Sequence, residues 1–242
     1  MFCIFTVFSA DKPKAKKGGK LVIKYLGHAC FLVTASNGTK VLMDPYNADV
    51  GYPVHQVDAD IITVSHEHFD HNNVSMARGN PVVIRGLESG GEKWASVDKV
   101  VKGVKITEIH SYHDTSGGKE RGLDAIFILD VDGIRIAHLG DLGQPLEPDQ
   151  IKNLKNVDIM MIPVGGYFTI DADDAKKIIK ETMPGIVLPM HYKTHYNRAN
   201  FPIATVDTFI KGLSIVVKLS GNELVITKEQ IPSKTRVYVF KI

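Results

Sequence analysis

The feature that most constrains this chain is the sequence His-Glu-His-Phe-Asp-His at residues 66–71. Three imidazoles and two carboxylates lie within these six residues, one residue after the apolar run Ile61–Val64. Burying such groups without partners is costly. Imidazole nitrogens and carboxylate oxygens are also common ligands of zinc and similar divalent cations. The cluster therefore predicts a metal site where a buried strand ends.

The density of candidate ligands favours two cations over one. His66 and His68 are two residues apart, and Asp70 and His71 follow as a second pair. Four protein ligands would fill a tetrahedral ion, whereas a catalytic ion keeps one position open for water. We therefore expect each ion to take part of the cluster and to receive further ligands from elsewhere in the chain.

Three later residues of ligand type each follow an apolar run, and they are His113, Asp141 and His191. Loops at strand ends often carry functional side chains on a rigid scaffold. His113 is preferred to His110, because His110 still lies within its strand run. His138 is interpreted as structural, because Asp141 already supplies a ligand there.

Short β-branched or alternating runs predict a strand-rich chain with fewer helices. The predicted strands are 21–26, 29–34, 40–44, 60–64, 81–85, 104–111, 125–131, 134–139, 159–164, 186–190, 213–219 and 223–227. Asn37-Gly38 and Asp132-Gly133 predict hairpin turns. Predicted helices begin after Asp171, cover 202–213 and, more weakly, cover 72–78. Two sheets with helices outside, in one domain over residues 21–242, would satisfy this pattern.

The composition of the chain limits the kinds of function that it can have. The net charge of +2 is too small for a strong nucleic-acid footprint. No stretch approaches the ~20 apolar residues of a membrane span. The two cysteines, Cys3 and Cys30, match no disulfide or metal framework. A small-molecule substrate is therefore expected, with no nucleic-acid partner and no membrane span; the oligomeric state is left open.

The N-terminal segment, residues 1–20, has two interpretations. It is either a disordered end with a lysine-rich linker or the remnant of a signal peptide, because residues 2–8 form a short apolar run. The first interpretation predicts a cytoplasmic protein. If residues 1–10 are a truncated signal peptide, a periplasmic or secreted one is expected.

The motif His66-x-His68-x-Asp70-His71, followed in order by His113, Asp141 and His191, resembles the signature of the metallo-β-lactamase superfamily. Shorter motifs, including residues 27–29, 44–46, 163–169 and 189–194, are similar to the branch related to ascorbate-6-phosphate lactonase and N-acyl-phosphatidylethanolamine phospholipase D. The resemblance implies an α/β (α+β) fold, the four-layer αββα sandwich. Two departures are Asn72-Asn73 after the signature, and Tyr167 where near relatives often carry histidine.

The resemblance also implies roles for individual residues. His66, His68 and His113 would hold one ion, and Asp70, His71 and His191 the second, with Asp141 between them. Asp44 would orient a ligand histidine. His28, Tyr167 and His195 are candidates for substrate contact. The ions would be two divalent cations, with zinc expected and manganese or iron as alternatives.

A dinuclear metal-dependent hydrolase follows as a hypothesis. Two cations would lower the pKa of a shared water from ~15.7 toward ~7, and the bridging hydroxide would attack an ester, lactone or phosphodiester. Asp70 would be catalytic, accepting a proton while remaining a ligand. The alternatives are a diiron redox protein and a non-catalytic binding protein on the same fold. Diiron members carry glutamate at the position of His68, which favours hydrolysis.

Overall fold

A computed structural model of the chain describes residues 19–242 and shows two main β-sheets. The N-terminal segment lies outside the described residues except for Gly19 and Lys20. The strands are β1 (Leu21–Gly27), β2 (Cys30–Thr34), β3 (Lys40–Met43), β4 (Val57–Asp58), β5 (Ile61–Val64), β6 (Ala77–Arg78), β7 (Val82–Arg85), β8 (Asp98–Val101), β9 (Val104–Tyr112), β10 (Leu123–Val131), β11 (Ile134–His138), β12 (Ile159–Pro163), β13 (Ile186–Met190), β14 (Val216–Lys218), β15 (Glu223–Ile226) and β16 (Arg236–Val239). The helices are α1 (Pro148–Leu154), α2 (Ala172–Thr182) and α3 (Val206–Ile210).

One sheet has six strands in the order β15-β1-β2-β3-β5-β7, and the other has eight in the order β14-β16-β13-β12-β11-β10-β9-β8. The predicted hairpins are confirmed, because β2 pairs antiparallel with β3 and β10 with β11. Asp132 and Gly133 both have positive φ, at 52° and 76°. Two successive residues of positive φ form the turn that matches strand twist.

The core lies between the two sheets. Side chains alternate across each strand, so Val41 and Met43 of β3 join the main core, while Leu42 points to the opposite face. Strands β12 and β13 are buried at every position. This is expected for parallel strands covered on both faces.

The two sheets have different outer layers. Helices α1 and α2 connect β11 to β12 and β12 to β13, which are parallel neighbours. On the six-stranded sheet, loop residues Tyr46, Tyr52 and Met76 pack on the outer face with Leu42 and Ile62. Within residues 19–242, no helix has the length and apolar character needed to cross a membrane.

The helix predictions have mixed outcomes. The helix after Asp171 is confirmed, and Asp171 Oδ1 accepts hydrogen bonds from the amides of Asp173 and Asp174 at 2.9 and 3.0 Å. The helix predicted over 72–78 is wrong, since only a short 3₁₀ turn, Val74–Met76, forms there. The helix predicted over 202–213 is shorter, covering Val206–Ile210.

The topology brings strand ends from both sheets to one edge of the molecule. β3 and β5 are parallel in one sheet, and β11, β12 and β13 are parallel in the other. The loops after the carboxyl ends of parallel strands are the usual location of ligand sites in such sheets.

Candidate metal centre

The structure brings all seven predicted ligands together. His66, His68 and His113 form one group, and His28, Asp70, His71 and His191 form a second; within each group the ligand atoms lie within 4.8 Å of one another. These residues lie in the loops that follow strands β1, β5, β9 and β13. The second group contains His28, which the sequence suggested only as a candidate for substrate contact.

Asp141 lies between the two groups. Its Oδ2 atom is 3.2 Å from His71 Nε2, 3.2 Å from His113 Nε2 and 3.4 Å from His191 Nε2. The side chain is almost completely buried, at 2% exposure. One carboxylate oxygen therefore faces rings from both groups, which is the position expected for a residue shared by two ions.

Asp44 orients one histidine in each group. Its Oδ2 lies 2.9 Å from His71 Nδ1 and accepts a hydrogen bond of 2.6 Å from Ser65 Oγ. Ser65 Oγ in turn lies 2.9 Å from His66 Nδ1. A carboxylate only accepts hydrogen bonds, so Nδ1 of His71 carries the proton and Nε2 presents its lone pair to the site.

Several buried polar atoms at the site make no hydrogen bond among the described residues: Nε2 of His66 and His71, Nδ1 of His113 and His191, and Asp141 Oδ1. Leaving a buried polar atom without a partner costs about 1 to 3 kcal/mol. The Nε2 atoms of His66 and His71 and the Oδ1 atom of Asp141 belong to the clustered candidate ligands, and the Nε2 atoms of His113 and His191 face Asp141 Oδ2. The cluster therefore offers the imidazole and carboxylate donors that divalent cations need. The residues present therefore fit a metal centre.

Burial also sets the charge state of two rings. It lowers the pKa of His66 well below its ordinary value and that of His191 to about 4. Both imidazoles are then neutral at pH 7, which is the form that binds a metal ion.

Asp124 supports the site, although sequence reasoning did not identify it. It is fully buried, and its Oδ1 accepts a 3.0 Å hydrogen bond from the backbone amide of Asp141. Ser111 Oγ donates to Oδ2 at 2.7 Å. Gly140 permits this approach, because a Cβ there would lie 2.3 Å from Asp124 Oδ1. An acidic residue at the start of an otherwise apolar strand was the available signal.

The backbone is strained at three positions in the site. His28, Asp44 and His191 have φ values of 54°, 43° and 49°, in the left-handed region. Non-glycine residues adopt this region rarely, and such strain persists where surrounding contacts hold it. The carbonyl oxygen of His28 accepts bonds from His191 N at 2.8 Å and from Tyr25 Oη at 2.7 Å.

Other polar residues near the site are already engaged. His138 Nε2 lies 2.8 Å from Ala29 O, and its Nδ1 accepts from Gly140 N at 3.2 Å. Both Glu67 oxygens lie 2.7 Å from Arg85 Nη1. His110 is exposed and stacks on Trp94 at 4.7 Å. These contacts agree with a structural His138 and with His113 in preference to His110.

A cavity of about 910 Å³ opens in front of the cluster and is lined by His28, His68, Asp70 and His191 among others. Two candidates for substrate contact do not line it. Tyr167 is 65% exposed and packs beside Phe168, which does line the cavity. His195 borders a different cavity, with Tyr192.

Comparisons with known proteins agree with this geometry. Residues 22–191 match the family model described as the beta-lactamase superfamily domain. The chain is 30% identical to a UPF0173 metal-dependent hydrolase of Archaeoglobus fulgidus, over 76% of this chain and 86% of that protein. It is also 30% identical to one from Pyrococcus abyssi, over 71% and 84%.

One solved structure is similar to this chain along almost the full length of both. It is a candidate Zn-dependent hydrolase of the metallo-beta-lactamase superfamily from Thermotoga maritima. The TM-score is 0.72 at 31% identity, covering 91% of this chain and 98% of that one. The likeness therefore extends over both sheets and over the candidate metal centre.

Proposed function

This chain belongs to the metallo-β-lactamase superfamily of metal-dependent hydrolases, and we propose that it uses two divalent cations to hydrolyse an ester, lactone or phosphodiester bond of a small molecule. The observation that carries the proposal is the position of Asp141 Oδ2, within 3.4 Å of His71, His113 and His191. The two groups of candidate ligands share this residue.

The proposed ligands divide as the two groups do. His66, His68 and His113 hold one cation; Asp70, His71 and His191 hold the other; Asp141 contacts both. We propose zinc, which imidazole nitrogens and carboxylate oxygens commonly bind and which can expand to take a fifth ligand such as water. When bound, such cations lower the pKa of water from ~15.7 toward ~7 and stabilise charge developing on oxygen.

Asp70 is the proposed proton acceptor. Its side chain is 21% exposed toward the cavity, whereas those of its neighbours His28 and His71 are buried. His28 Nε2 lies 3.1 Å from Asp70 Oδ2, so His28 holds the carboxylate in place. The proton released when water adds to the substrate is then accepted by the Asp70 carboxylate, which lines the cavity.

The proposal is tested by screening zinc-reconstituted protein against neutral esters, lactones, thioesters and phosphodiesters, with His66→Ala as the inactive control. We expect hydrolysis of at least one class by the unmodified protein and only background by the variant. Metal analysis accompanies the screen and should find two ions per chain. Two irons with redox activity, or equal turnover by the variant, would contradict the proposal.

A further inference from the structure

The cavity in front of the metal centre is also lined by two arginines, Arg121 and Arg198, that the hydrolytic chemistry does not use. We propose that the cavity binds a substrate with an apolar body and a carboxylate or phosphate group remote from the bond that is hydrolysed, and that Arg121 and Arg198 contact this anionic group. The inference rests on the proposed hydrolytic function and adds the class of substrate to it.

The guanidinium groups of these arginines are available to a ligand. Among residues 19–242, the Arg198 side chain makes no ion pair or hydrogen bond, and Arg121 makes only a 4.0 Å ion pair with its neighbour Glu120. Arg85 is different, because its Nη1 lies 2.7 Å from Glu67. Guanidinium groups bind carboxylate and phosphate through paired, charge-assisted hydrogen bonds.

The carboxylates that line the cavity leave these two positive charges largely uncompensated. They are Asp49, Glu67, Asp70 and Asp141. Glu67 is neutralised by Arg85, and Asp70 and Asp141 belong to the metal centre. Asp49 is then the one remaining negative charge on the described wall, and its carboxylate lies beyond ion-pair distance of both arginines. The wall beside the two arginines thus favours an anion.

Arg121 is held at the cavity by a loop organised around Asp114, the residue after His113. The buried Asp114 carboxylate accepts hydrogen bonds from the Arg121 amide at 2.8 Å and from the Glu120 and Gly118 amides at 3.0 Å. It also accepts from the amide and hydroxyl of Ser116 at 2.8 and 2.6 Å. Fixing the loop before binding reduces the entropy lost when a ligand docks.

Arg198 is held in a similar way by the turn that precedes it. Asn197 Nδ2 donates to Val50 O at 3.1 Å, and Asn197 Oδ1 accepts from Thr194 N at 2.8 Å. The Phe201 amide donates to the carbonyl of Arg198 at 2.9 Å. The turn is therefore tied to Val50, which also lines the cavity, and the backbone of Arg198 has a defined position.

The remaining wall suits an apolar body. Phe168 and Phe201 line the cavity with ring centroids 5.8 Å apart. Phe69 lines it too, with 54% of its surface exposed. Ligand cavities commonly combine such apolar walls with a few polar anchors that fix orientation.

Isothermal titration calorimetry on the zinc-reconstituted protein tests the inference without requiring turnover. The probes are 6-phenylhexanoate, 6-phenylhexyl phosphate and the neutral 6-phenylhexan-1-ol. Arg121→Met and Arg198→Met keep an apolar stem and remove the charge. Arg78→Met is the matched control, because Arg78 is paired with Asp58 and lies outside this cavity. We expect each cavity substitution to lower the affinity for the anion that binds by about tenfold and to leave the affinity for the alcohol unchanged.

The two anionic probes distinguish carboxylate from phosphate as the preferred group. The inference is overturned if neither substitution weakens either anion, or if neither anion binds more tightly than the alcohol. Parallel assays with 4-nitrophenyl hexanoate and the terminal carboxylate analogue mono-4-nitrophenyl adipate separate it from the proposed function. Selective binding without any hydrolysis would contradict the proposed hydrolytic function but not the substrate class. Hydrolysis that does not depend on the arginines would contradict the substrate class but not the hydrolytic function.

Discussion

Asp44 Oδ2 lies 2.9 Å from His71 Nδ1, and neither side chain is exposed to solvent. The same carboxylate reaches His66 through Ser65 Oγ. Since His66 and His71 belong to different groups of candidate ligands, one buried carboxylate sets the ring orientation in both.

Asp44→Asn should therefore weaken metal binding at both proposed ions. Asp44 Oδ2 accepts from both Ser65 Oγ and His71 Nδ1, and Oδ1 accepts from the Ser65 amide. An amide nitrogen in place of either oxygen would face a donor, so at least one of these contacts is lost and the orientation of the rings is disturbed. We expect the affinity for zinc to fall by about 10- to 100-fold, measured by competition with a chromogenic chelator. Asp58→Asn, at an exposed carboxylate paired with Arg78, is the control and should bind zinc normally. Unchanged affinity in Asp44→Asn would exclude this orienting role.

Asp141→Ala should remove metal and activity together, because Asp141 Oδ2 faces three ring nitrogens that belong to both groups. We expect zinc content, measured by mass spectrometry, to fall from two ions to one or none per chain. His110→Ala is the control, because His110 is exposed and lies on strand β9, which ends just before His113. This variant should keep both ions. A variant with full turnover would refute the assignment of Asp141.

Gly140→Ala should destabilise the protein, because its Cβ would lie 2.3 Å from Asp124 Oδ1 and its φ is +54°. Gly133→Ala is a matched control, with φ at +76° but open space around the added methyl group. Urea unfolding should show that Gly140→Ala lowers the free energy of unfolding by about 1 to 3 kcal/mol more than Gly133→Ala does. Equal losses would mean that Asp124 moves aside without cost.

Glu108 should make stability depend on pH. Burial raises the pKa of Glu108 to about 7, and its Oε2 makes no hydrogen bond among the described residues. The folded state therefore holds this proton more tightly than the unfolded state does. Its stabilising effect is present below about pH 4.5 and is lost as the pH rises through 7.

The comparison of Glu108→Gln with the unmodified protein tests this at pH 5 and pH 8. Between these values, we expect the free energy of unfolding to fall by an amount on the order of 1 kcal/mol more in the unmodified protein. Glu223→Gln, at an exposed position of β15, should behave like the unmodified protein. A parallel pH dependence in Glu108→Gln would show that another group is responsible.

Local patterns predicted much of the fold. The hairpin turns, the buried strand β12 and the helix that begins after Asp171 depend on neighbouring residues, and each formed as expected. The failures arose where distant backbone competed. The amide of Asn73 donates to Pro45 O at 2.8 Å, which draws residues 72–78 away from a helix. The amide of Ala204 donates to Gly165 O at 2.7 Å, so the later helix begins only after this contact.

The functional residues divide in the same way. The cluster at 66–71 and the single residues at strand ends could be recognised because ligand chemistry is a property of residue type. Asp124 could not, because it acts through the backbone of Asp141 across the sheet and through the space left by Gly140. Nor could Arg121 and Arg198, because an arginine in a loop carries no sign of the cavity that it faces.

By itself, the sequence determined which donor atoms were present and that strand ends would carry them. Only the tertiary structure decided that Asp44 serves both groups, that Asp124 supports the backbone of Asp141 and that two arginines border the cavity. The physical reason is range. Turn geometry and side-chain periodicity act over a few residues, whereas these distances depend on the packing of two sheets whose strands are far apart in the chain.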